Sequence, residues 1–114
     1  MIILFALNAI LAAGGVFSAI LAALRPSALV TKGAESVGVR FYAEMYAAKA
    51  VPLCLLAAVI PFLATGVVPG LCLFGAALSQ AMDAAIGLGQ RNLRQIVGST
   101  VAAVVHALVG ILIW

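Results

Sequence analysis

Glu44, Asp83 and His106 each interrupt an apolar run of this chain, and between them they supply two carboxylates and the only imidazole. A carboxylate and an imidazole within reach of one substrate are sufficient for general acid–base chemistry, so these three are the candidate catalytic residues. Arg40, Lys49, Tyr46, Gln80 and Ser99 sit on the same stretches and are the candidate ligand-binding residues. The lone imidazole also suits haem iron, but a second axial ligand or a haem shared between chains would have to be supplied. Cys54 and Cys72 lie in apolar runs without CxxC spacing or clustered histidines, so they read as small buried hydrophobes and no metal set is expected. The sequence contains no phosphate-binding Walker loop, GxSxG, HExxH or CxxCH motif. Covalent nucleophilic hydrolysis therefore has little support, and an enzyme built from these groups would move protons on a lipophilic small molecule without a cofactor.

The elements that position these residues follow from hydropathy. Of 114 residues 67% are hydrophobic and 8% charged, and the mean hydropathy is +1.32, far from the composition of an average soluble domain. Four apolar runs, at about 1–24, 41–64, 66–90 and 93–114, each have roughly the 20 residues needed to cross a hydrocarbon core. Backbone groups in lipid must be satisfied internally, and no ten-residue alternation of a membrane strand is present, so the runs are expected to be helices. The first run lacks a basic leader and is longer than a signal-peptide core, which makes it helix 1. The expected fold is all-α, a single domain forming a four-transmembrane-helix bundle.

Charge sets the orientation. Of the six basic residues, Arg25, Lys32, Arg40, Arg91 and Arg94 lie in or beside the first and third connections, while the second connection carries none. By the positive-inside rule those two connections are cytoplasmic and both termini face outward. The lipid bilayer is the first partner implied. No basic face with stacking aromatics exists on a soluble domain, so no nucleic-acid partner is expected.

At about 100° per residue, positions three, four and seven apart share a helix face. On helix 1, Asn8, Leu11, Ala12, Gly15, Ser18, Ala19 and Ala22 form a face of mostly small residues suited to close helix contact. On helix 2, Arg40 and Glu44 share one face and Tyr42, Tyr46 and Lys49 the other, the tyrosines at headgroup level. Helix 3 carries Gln80, Asp83 and Gly87 in one stripe, and helix 4 carries Gln95, Ser99, Ala102 and His106. Counted from the cytoplasmic ends, Glu44 lies about 6 Å in, Asp83 about 10 Å, Lys49 about 13 Å and His106 about 18 Å. A central charged residue costs on the order of 2.5–3.5 kcal/mol to insert, so these groups are expected to turn inward. The expected site is a cytoplasm-facing cavity with an Arg40–Glu44 ion pair at its mouth, Asp83 on its wall and His106 as its floor. Pro52 is expected to kink helix 2 and leave the Ala48 carbonyl without its helical donor.

The GVR of Gly38 to Arg40 opening helix 2, Glu44 one turn on, Asp83 late in helix 3 and His106 in helix 4 resemble the DoxX-like superfamily of small four-helix bacterial membrane proteins. The resemblance covers Leu24 to Trp114. It implies a bacterial inner-membrane bundle with a polar site near the cytoplasmic side and roles for Arg40, Glu44, Asp83 and His106. Members are linked to membrane redox complexes, among them a quinone-reducing thiosulfate oxidoreductase, although no thiosulfate site is evident here. The expected function is binding of a quinone-like or other lipophilic small molecule, as a redox-complex subunit or an acid–base enzyme. Two alternatives stand beside it. One is a proton-coupled transporter of the dimeric four-helix kind, which would ordinarily carry its key carboxylate on helix 1, where this chain has none. The other is a purely structural subunit. The Ala- and Gly-rich exterior also fits a homo-oligomer or a membrane-complex subunit.

Overall fold

A computed structural model of the chain describes residues 1–28 and 36–114; Lys32, counted above for topology, lies outside them. Four helices follow in order: α1 (Ile2–Leu24), α2 (Val37–Leu63), α3 (Val67–Gly89) and α4 (Leu93–Ile113), with one 3₁₀ turn at Pro26–Ala28. Each helix is long and apolar enough to cross a membrane, and the molecule measures 44 × 23 × 20 Å. It is an all-α four-helix bundle.

The helix ends follow local chemistry. α1 stops where the Arg25 backbone N–H donates to Leu21 O at 2.7 Å, and Pro26 next in line cannot continue the helix. α2 begins four residues earlier than expected, because Ser36 caps it: its Oγ accepts from the Val39 N–H at 3.2 Å. Glu44 and Lys49 are therefore about 4–5 Å deeper than depths counted from Arg40. Between α2 and α3, Gly66 holds φ at +117°, a conformation open to glycine, and Pro69 falls in the first turn of α3, where its missing N–H costs nothing.

α3 ends in a Schellman motif. The N–H of Asn92 donates to Gly87 O at 2.9 Å and that of Arg91 to Leu88 O at 3.1 Å. The left-handed position is taken by Arg91, at φ 55°, where glycine is usual. Asn92 then caps α4 by accepting from the Gln95 N–H at 3.2 Å.

The bundle is a pair of hairpins. α1 packs chiefly on α2 and α3 on α4, and the hairpins join mainly through α1 with α4 and α2 with α3. The two halves along the membrane axis differ. In the half away from the first and third connections, Ala12, Cys54, Ala57, Leu73, Ala76, Val105, Val109 and Ile113 form a solid core. Small residues bring α3 and α4 close there: a Cβ on Gly70 would lie 3.2 Å from Gly110 O and 2.8 Å from the Trp114 ring. In the half that carries the first and third connections, called the basic end below, the hairpins part.

Candidate functional site

A cavity of about 860 Å³ lies between the hairpins in the basic half. It runs from the Pro26–Ala28 turn and Asn92, at the helix ends, inward to Leu11 and Ala102. α1 gives it a wall of small and apolar residues, including Gly14, Gly15 and Ala22, with Ser18 as the polar exception. The polar groups come from the other three helices: Tyr42 and Tyr46 from α2, Gln80 and Asp83 from α3, and Arg94, Gln95 and Ser99 from α4.

Asp83 is held from its backbone side. The Gln95 amide Nε2 donates to the Asp83 carbonyl oxygen at 2.8 Å, tying α4 to α3 at the level of the carboxylate. Among the described residues no side chain or backbone donor bonds the Asp83 carboxylate itself. Among the described residues that line it, the cavity thus has one carboxyl group, at Asp83, one cation, at Arg94 nearer the mouth, and a set of hydroxyl and amide groups that can both donate and accept.

Of the residues singled out in the sequence, the structure brings Tyr46, Gln80, Asp83 and Ser99 together around the cavity. It does not bring the others there. Arg40, Glu44 and Lys49 are exposed and line no part of it. The ion pair expected between Arg40 and Glu44 is not formed, since Glu44 has no ion-pair partner among the described residues. The rotation of α2 explains the difference. Cys54, Ala57 and Pro61 are its buried residues, and counting back from Cys54 in steps of three and four reaches Ala50, Tyr46, Ala43 and Val39. The last three line the cavity, so the tyrosine face, not the Arg40–Glu44 face, points inward.

His106 lies one turn beyond Ala102, below the cavity floor instead of forming it. It is 1% exposed, and Asn8 beside it is 0% exposed. Asn8 Nδ2 donates to the carbonyl oxygen of Ala57 at 2.6 Å. That carbonyl is available because its usual helical donor, four residues on, is Pro61, which has no N–H. With its amide nitrogen so engaged, Asn8 presents Oδ1 to His106 Nδ1 at 2.6 Å, and Nδ1 must carry the proton. One side chain from α1 thereby joins α2 to α4 and satisfies two groups that lipid could not.

Sequence reasoning missed three participants. Asn8 was read as part of a packing face, although a buried amide in an apolar run asks for partners and Pro61 marked the carbonyl that needed one. Tyr42, expected as an interfacial aromatic, and Arg94, expected only as a topology charge, both line the cavity. Among the described residues no group of three or more His, Cys, Asp or Glu side chains is placed to hold a metal ion. No protein-family model, curated protein or solved structure matches the chain.

Proposed function

We propose that the cavity takes up a lipophilic small molecule with a polar head, of the quinone or quinol kind, from the cytoplasmic leaflet, and that the protein serves as the ligand-binding subunit of a membrane redox complex. The observation that carries this reading is the carboxylate of Asp83, which no donor among the described residues bonds, on a cavity whose α1 wall is largely apolar. A quinol hydroxyl can donate to that carboxylate, while a quinone carbonyl can accept from Tyr46, Ser99 or Gln80. The apolar tail would lie along Leu11, Gly14 and Gly15. The volume is within the range of roughly 300–1,000 Å³ usual for small-molecule sites. The resemblance to DoxX-like proteins leads to the same ligand class. Because His106 is occupied with Asn8 below the floor, the reading favours binding over acid–base catalysis by a carboxylate–imidazole pair.

The test is a titration of the purified protein in nanodiscs with short-chain quinones and quinols, repeated for Asp83→Asn and for Ser99→Leu, which fills the cavity. A hydrogen bond to a charged group contributes about 1.5–3 kcal/mol, so Asp83→Asn should weaken quinol binding by about 10- to 100-fold. Ser99→Leu should abolish it. No saturable binding by the natural protein, or equal binding by all three, would refute the proposal and leave a structural role for the polar groups.

A further inference from the structure

The outer face of α2 has a pattern that the cavity does not use. Phe41, Met45, Ala48, Leu55, Val59 and Phe62 recur at alternating steps of four and three, with Pro52 completing the series between Ala48 and Leu55. This is the a/d spacing of a helix that packs on another helix along its whole length. All of these residues are exposed in the single chain, the large ones among them by 37% to 55%. Apolar exposure alone is ordinary for a membrane helix. The two charges beside the stripe are not.

With Met45 and Ala48 as a and d, Glu44 falls at g and Lys49 at e, the positions that flank such a seam. Both are exposed. In α2 (Val37–Leu63), Lys49 sits one residue from the helix midpoint, about 18 Å from the basic end, beyond what its side chain can reach by snorkelling. Glu44 lies about 10 Å in. Left against acyl chains, each would oppose insertion by the cost of a charge in oil. Their spacing of five residues, on opposite flanks, is the spacing by which g of one helix meets e of a parallel partner.

We propose that this face is the interface of a parallel homodimer, with α2 packed on the α2 of a second copy about a two-fold axis along the membrane normal. A two-fold rotation brings the left flank of one helix beside the right flank of the other. Glu44 of each chain then meets Lys49 of its partner, twice over. Small side chains at Ala48 let the backbones approach at the level between the charges. Pro52 withholds the N–H that would serve the Ala48 carbonyl, and the closed interface shields that carbonyl from lipid. A second copy satisfies the pattern with no other partner because the charges are complementary to themselves under the two-fold. Val39, Ala43 and Tyr46, which line the cavity, lie on the side of α2 away from this seam, and Tyr42 alone of the cavity residues reaches its flank.

The test uses the full-length protein reconstituted in vesicles, with association read by single-molecule photobleaching. The natural protein should be dimeric. Glu44→Lys and Lys49→Glu singly should each lower the association constant by about tenfold or more, and the double exchange should restore it. A photocrosslinking residue in place of Leu55 should capture the Pro52–Leu55 segment of a second copy, and the same probe in place of Leu78 on α3 should capture none. This probe keeps the question decidable if a charge reversal fails to insert. A monomeric natural protein, an unrestored double exchange, or capture at Leu78 instead of Leu55 would overturn the proposal.

Discussion

Replacing Asn8 by Leu, a side chain of similar size and no polar atoms, should show what the buried amide contributes. The substitution leaves the Ala57 carbonyl and the His106 Nδ1–H without partners in a dry core. Interhelical polar bonds in membrane proteins contribute on average about 0.6 kcal/mol and at most about 1.7, so the loss of two should cost about 1–3 kcal/mol. Pro61→Ala changes that figure in a defined way. Alanine restores a backbone N–H that can serve Ala57 from within α2, and Asn8 then holds only His106. In the Pro61→Ala background the cost of Asn8→Leu should fall by about half, a coupling of about 0.6 kcal/mol or more. The assay is a double-mutant cycle of reversible unfolding in mixed micelles, all four proteins measured under one condition. Additivity within about 0.3 kcal/mol would refute the claim that Asn8 compensates for the proline.

Three further outcomes are expected. Gly15→Ala should destabilise the bundle by about 1–3 kcal/mol, because its Cβ would lie 2.7 Å from Cys54 Sγ. Adding Cys54→Ala, which removes that sulfur, should recover part of the loss in the same unfolding measurement. Arg91→Gly should stabilise by up to about 1 kcal/mol, since it relieves a left-handed backbone at a Schellman position without removing a backbone bond. Gln95→Leu should cost about 1 kcal/mol by removing the bond to the Asp83 carbonyl, and thermal unfolding followed by circular dichroism would read it.

Much of the bundle is written in the chain at the level of apolar runs and their breaks. Pro26, Gly66 and Asn92 mark the three connections by chemistry that is local and therefore readable. Hydropathy alone starts the second run at Phe41, just past the charge of Arg40, whereas the Ser36 hydroxyl caps α2 four residues earlier. The stripes on α1, α3 and α4 were legible as well, since small or polar residues at helical spacing admit one inward face. α2 was rotated wrongly for a physical reason. The charges of Arg40, Glu44 and Lys49 were turned inward to spare them lipid, but the face of α2 is set by Cys54, Ala57 and Pro61 packing on the bundle. A desolvation argument applied to one chain does not register a second chain that could share the cost. Nor could hydropathy connect Asn8 to Pro61, because their relation is a hydrogen bond between residues 49 apart in sequence, Asn8 and Ala57, made necessary by a third.

A ligand-sized cavity that ends above His106 should be open to water from the basic end and closed to it from the other, which thiol accessibility reads without reference to any ligand. In a Cys54→Ala, Cys72→Ala background, Ser99→Cys places a thiol on the cavity wall. A membrane-impermeant thiol reagent added at the basic end should label that position, and a short-chain quinol should slow the labelling in proportion to its occupancy. Labelling equal from both sides of the membrane, no labelling at all, or labelling indifferent to every quinol would mean that no such quinol-binding cavity exists.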